Sequence, residues 1–176
     1  MKLTIKTYGR PFFLVALTAA LVLPSRTGAL TINAVYASSI TSDPNHAAIE
    51  ATINSAIAVY EADFSDPITA TITFQEQTTG LGNSSTYVYG ITYSSYIAAL
   101  VSHATSVDDA TFLAHLPTGS GNPVNGNSEI TIRGPLARAL GFSANPPSGQ
   151  SDSTISLNMS IINITSSNPN ANYYSL

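Results

Sequence analysis

The chain of 176 residues has no cysteine and no tryptophan, and beyond residue 29 it has no lysine. Without sulfur nucleophiles there is no disulfide framework, no thiolate catalysis, no cysteine-held zinc and no iron–sulfur cluster. Without a lysine amine, Schiff-base chemistry and lysine-dependent phosphate binding lose their essential group, and neither G-x-x-x-x-G-K-[ST] nor G-x-G-x-x-G occurs. A G-x-S-x-G elbow is also missing, so a serine-hydrolase triad has no positional support. Charge is scarce as well, at 9% of residues. Past residue 29 only Arg133 and Arg138 are positive, against ten acids, a net charge of −8. Two arginines five positions apart cannot supply the run of phosphate contacts that nucleic-acid binding needs, so nucleic acid is excluded as a partner.

Long apolar runs are missing too, with one exception near the start. Lys2, Lys6 and Arg10 precede an apolar stretch from Phe12 to Leu23, followed by Pro24 and small residues ending at Ala29. Twelve residues fall short of the roughly 20 that span a bilayer, and the three-part pattern is that of a secretory signal. Residues 1–29 therefore read as a signal peptide and 30–176 as one secreted, extracellular domain with no membrane partner after signal removal.

What remains is rich in Ser, Thr, Asn and Tyr, and its periodicities define elements. Leu30, Ile32, Ala34 and Tyr36 alternate with Thr31, Asn33 and Val35 as a first strand. Asp43 and Pro44 read as N-cap and first turn of a helix whose stripe is Ile49, Ile53, Ile57, Tyr60 and Phe64, ending before Asp66-Pro67. Ile68, Ala70, Ile72 and Phe74 alternate with Thr69, Thr71, Thr73 and Gln75 as a strand with one hydroxyl-covered face. Gly80, Gly82 and Asn83 mark a turn before a strand over Thr86–Thr92. Helices follow over Ser95–Ala104 and from a Ser106 cap to Leu116, with a loop from Thr118 to Ser128. Glu129–Arg133 is a strand, Pro135 opens a short helix over Leu136–Leu140 closed by Gly141, and Thr154–Asn158 and Ile161–Ile164 supply the last extended segments. Ser166 to Asn170 repeats the polar-cap-then-proline pattern that precedes the first helix, announcing another after Pro169. Strands and helices mix without a regular βαβ repeat, so the fold class is α+β with a mixed sheet.

Reactive constellations are thin. His46, His103 and His115 have no i, i+4 pairing, and the last two project about 120° apart on a shared helix, so capping and surface roles are expected. Glu50 and Glu61 share a helical face but stand about 16 Å apart along it, too far for a glycosidase pair. Asp108 and Asp109 suit the positive end of a helix after Ser106. Asn83, Asn158 and Asn163 fit the N-x-[ST] pattern for glycosylation.

Several strings together resemble a family of secreted bacterial zinc metalloproteases of the zincin type: Ala48–Phe74 (AIEATINSAIAVYEADFSDPITATITF), Tyr93–Ala104 (YSSYIAALVSHA), Ala137–Gly141 (ARALG) and Asp152–Asn158 (DSTISLN). The resemblance implies a zincin-like mixed sheet under a long N-terminal helix. In complete members a helix bearing H-E-x-x-H holds zinc with its histidines and uses the glutamate as general base. The present sequence contains no such motif, and its histidines do not fall on the family's metal positions. The chain is therefore expected to be the pre-active-site scaffold, with no catalytic residue, no metal ligand and no cofactor of its own. The resemblance also places Ile155, Ser156, Leu157 and Asn158 along a substrate cleft. Protein or peptide is the implied partner, with self-association through an apolar sheet face that the zinc helix would otherwise cover. The alternative is an extracellular module that uses Tyr-rich and Ser/Thr-rich faces for glycans or proteins, although Tyr87, Tyr89 and Tyr93 suit packing within strands as well as stacking on sugars.

Overall fold

The computed structural model describes residues 29–117 and 119–164, with the backbone of 174–175. The leader expected over 1–29 lies outside these residues except for Ala29. The helix expected after Pro169 also lies outside them, apart from positions 174–175, which are extended rather than helical.

Two strands read from alternation form as expected, β1 (Thr31–Tyr36) and β2 (Thr69–Glu76), and they pair in parallel with Ala34 opposite Ile72 and Tyr36 opposite Phe74. A parallel pair requires a crossover, and residues between the strands supply it as α1 (Ser38–Thr41) and α2 (His46–Asp63). The sheet continues with β6 (Ser153–Leu157), parallel to β2, and ends with β3 (Gly82–Thr86), antiparallel to β6. The strand order is β1-β2-β6-β3, so the chain is α+β with a mixed sheet, as its sequence implies. One sheet face carries Ala34, Ile72, Ile155 and Leu157 against a core of Ile40, Ile49, Ile53 and Phe74. On the opposite face Thr73 meets Ser151 at 2.7 Å and the Gln75 amide donates to Ser156 at 3.0 Å, the hydroxyl-covered surface that the threonine alternation predicts.

A second layer holds β4 (Val88–Thr92) and β5 (Glu129–Arg133), an antiparallel pair flanked by α3 (Tyr93–His103), α4 (Val107–Ala114) and α5 (Gly134–Ala139). Its core is Ile132, Ala137, Leu140 and Ala144, packed by Tyr89, Tyr96 and Leu100. Helix α4 starts on a complete capping box: Ser106 Oγ accepts from Asp109 N–H, and the Asp109 carboxylate accepts from Ser106 N–H at 2.8 Å. The Thr105 and Ser106 N–H groups, both donating to its carboxylate, hold the Asp109 carboxyl below its ordinary range. Helix α5 closes as Gly141 predicts, at φ +81°, with Gly141 N–H donating to Arg138 and Phe142 N–H to Ala137.

Local chemistry shifts several boundaries. Asp43 does not cap α2; its Oδ1 accepts from Asn45 N–H at 2.6 Å, a side-chain turn that spends the carboxylate and delays the helix to His46. The four-residue α1 is too short to show a period and is absent from the sequence reading. Gly82 and Asn83, expected in a turn, open β3, because a strand on β6 needs a residue without a Cβ there: an added Cβ at Gly82 would stand 2.9 Å from Ser156 O. The run Thr86–Thr92 is not one strand. Thr86 ends β3, Tyr87 N–H turns to Asp152 O at 3.0 Å, and Val88 begins β4 in the other sheet. Of Ile161–Ile164, only β7 (Ile162–Asn163) is extended, paired in parallel with β8 (Tyr174–Ser175).

Candidate functional site: an apolar groove beside the long helix

The stripe on α2 divides into two halves. Ile49 and Ile53 are fully packed, whereas Tyr60 remains 58% exposed and Phe64, just beyond the helix, 51%. Between that second half and the sheet runs a groove of about 540 Å³. Ile53, Ile57 and Tyr60 form its helical wall, and Ile72, Ile155 and Leu157 form its floor. No described charged residue lines it.

Polar bonds at the rim fix its width. Glu61 Oε1 accepts from the Ile32 N–H at 2.7 Å, tying the far end of α2 to the edge strand β1. Thr52 Oγ1 donates to Ile164 O at 2.8 Å, which holds the end of the 159–164 segment against the helix. Tyr36 OH donates to Asn54 Oδ1 at 2.9 Å, and burial together with the charge of Glu50 raises its pKa, so the phenol stays a neutral donor. The Thr52 hydroxyl also lies 2.9 Å from Ala48 O a turn back, so its one proton is shared between the two carbonyls.

Ile155, Ser156, Leu157 and Asn158 fall on β6 and the residue after it. β6 is interior, paired with β2 on one side and β3 on the other, so its backbone is fully committed. A ligand can meet this segment only through side chains, and those divide. Ile155 and Leu157 floor the groove. Ser156 is buried on the other face beneath Gln75. Asn158 is buried as a clamp: its amide donates to Gly80 O at 2.8 Å and its Oδ1 accepts from the Ser160 hydroxyl at 2.6 Å. The sheet's two edge strands are β1 and β3, and β1 spends its Ile32 N–H on Glu61.

The histidines are scattered over the exposed surface, each with Nδ1 near a carbonyl oxygen a turn back: Asp43 for His46 at 3.0 Å, Ala99 for His103 at 2.9 Å, Thr111 for His115 at 2.7 Å. Among the described residues no three His, Asp or Glu side chains are grouped to hold a metal ion. No described helix is long and apolar enough to cross a membrane. The three tyrosines considered for stacking separate sharply: Tyr93 is 2% exposed, Tyr89 packs in the second core with its hydroxyl buried, and only Tyr87, 40% exposed, offers a ring to solvent. The sequence could have suggested the groove, since Tyr60 and Phe64 lengthen the stripe of α2 beyond what the first core needs. Comparison of the chain with protein-family models, curated proteins and solved structures finds no match.

Proposed function

We propose that residues 30–176 form the scaffold of an exported zinc metallopeptidase of the zincin type, and that this chain does not hydrolyse peptides by itself. The observation that carries the reading is the apolar groove between α2 and the sheet, framed by Ile57, Tyr60, Ile155 and Leu157. Its shape and lining suit one face of an amphipathic helix, the recognition mode in which apolar residues at helical spacing dock between packed elements. A helix bearing H-E-x-x-H, which residues 1–176 do not contain, would present its histidines and glutamate away from the groove while its apolar face lies within. Covering the exposed part of Tyr60 and the apolar floor would favour such docking. The resemblance of Ala48–Phe74 and Asp152–Asn158 to zincin proteases supports the same assignment, because those strings build the two walls.

Purified protein is expected neither to bind stoichiometric zinc nor to cleave casein. Chelator-sensitive casein cleavage by this chain alone would refute the proposal.

A further inference from the structure

The hydroxyl-covered side of the main sheet carries a second cavity, separate from the groove and independent of the proposal built on it. Its volume is about 290 Å³, close to the lower end of the roughly 300–1,000 Å³ typical of small-ligand sites, which suits one ring-sized group rather than an extended chain. Ser85 and Thr154 face each other across β3 and β6 in register and form its base. Gln150 and Ser151 form one side, and Tyr87 closes another.

Three features define what it can hold. Among the described residues no ionisable group other than the tyrosine phenol lines it, and the carboxylate of Asp152, next to Ser151, is turned to Arg138 and to Thr71 N–H. A charged ligand would lose its hydration there with no opposite charge to replace it. The side-chain polar groups of Ser85, Tyr87, Gln150 and Thr154 make no hydrogen bond among the described residues, so four adaptable donors and acceptors converge on one space. Thr86 and Ser151 hydroxyls, by contrast, are held by Ser153 and Thr73. Finally, the Tyr87 backbone is held to Asp152 O while its ring stays partly exposed, giving an apolar plate beside polar partners. A polar rim of hydroxyls and an amide beside one aromatic plate, with no fixed charge, matches a pyranose ring, which has one apolar face and equatorial hydroxyls.

The geometry points to a binding site for one unit of a neutral saccharide, with Tyr87 stacking on the ring and Ser85, Gln150 and Thr154 bonding its hydroxyls. The test is a titration of the full chain with cellotetraose, mannotetraose and, as an anionic probe, tetragalacturonate, followed by amide chemical shifts. At least one neutral probe is expected to bind with a Kd of about 1 mM, with shifts confined to residues 85–87 and 150–154. Tyr87→Ala is expected to weaken it by about tenfold or more and Tyr87→Phe by less than about twofold. Gln150→Ala, at an exposed loop position whose side chain bonds nothing, is expected to weaken binding with an unchanged thermal transition, so the test stands even where Tyr87→Ala fails to fold. Saturable shifts with neither neutral probe, equal affinity for tetragalacturonate, or binding indifferent to Gln150→Ala and Tyr87→Phe→Ala ordering would overturn the inference.

Discussion

Arg138 and Asp152 meet as a two-point pair, Nη1 to Oδ1 at 2.8 Å and Nη2 to Oδ2 at 2.9 Å, and through it the two layers of the molecule are clasped together. Arg138 comes from α5 in the second layer, and Asp152 stands at the entry to β6 in the main sheet. The guanidinium also donates to Thr69 O and Ala144 O, both at 2.7 Å, while Asp152 Oδ2 accepts from Thr71 N–H at 2.9 Å. Gly134 lies against this clasp: a Cβ there would stand 3.1 Å from Asp152 Oδ1 and 3.2 Å from Ala144 O.

Removing one partner strands the other. With the Asp152 side chain only 6% exposed and that of Arg138 17%, Arg138→Ala should cost about 3–5 kcal/mol of unfolding free energy. Asp152→Ala should cost a similar amount, and the double variant clearly less than the two added together, because each single change leaves a buried unpaired charge. Urea denaturation of the four proteins checks this; strict additivity would mean that the pair does not couple.

Acid stability should carry two opposed signatures. The folded-state pKa of Asp109 is depressed by the Thr105 and Ser106 N–H groups, so its contribution is present above the unfolded pKa and lost as pH falls through the folded one. Glu76 behaves in reverse. Burial and the neighbouring Asp43 raise its pKa, and one of its oxygens is buried with no hydrogen-bond partner among the described residues, so its contribution is present below the unfolded value and lost as pH rises through the folded one. Urea midpoints measured between about pH 3 and pH 7 should therefore show Asp109→Asn less sensitive to acid than the parent, and Glu76→Gln more stable than the parent at the upper end.

The two halves of the α2 stripe should respond differently to truncation. Ile53→Ala, in the packed half, should cost about 2–5 kcal/mol, whereas Tyr60→Ala should change stability by no more than about 0.5 kcal/mol. Tyr60→Glu should nevertheless reduce binding of a hydrophobic fluorescent dye and any self-association of the parent, since the groove is an exposed apolar patch open to both. Dye binding unchanged by Tyr60→Glu would place the sticky surface elsewhere.

The elements legible in the sequence are those whose signal is local. The threonine alternation of β2, the Ser106 cap of α4 and the proline and glycine bracketing α5 are each local signals, and each forms. Misplaced boundaries trace to residues with two uses: Asp43 serves a turn as readily as a cap, and Gly82 serves close strand approach as readily as a turn. What stays hidden is set by pairing between distant segments. Nothing local shows that β6 lies inside the sheet rather than at its edge, that Arg138 finds Asp152, or that Ser85, Tyr87, Gln150 and Thr154 share one cavity. The groove is an intermediate case, since the length of the α2 stripe announces an apolar face and only the tertiary structure shows that half of it stays open.

The claim that the groove is a helix seat is tested most directly by titrating isotope-labelled protein with a synthetic amphipathic peptide bearing H-E-x-x-H. The account predicts saturable shifts at Ile57, Tyr60, Ile155 and Leu157, abolished by Tyr60→Glu. No shifts at these positions, or the same shifts in the Tyr60→Glu protein, would contradict it.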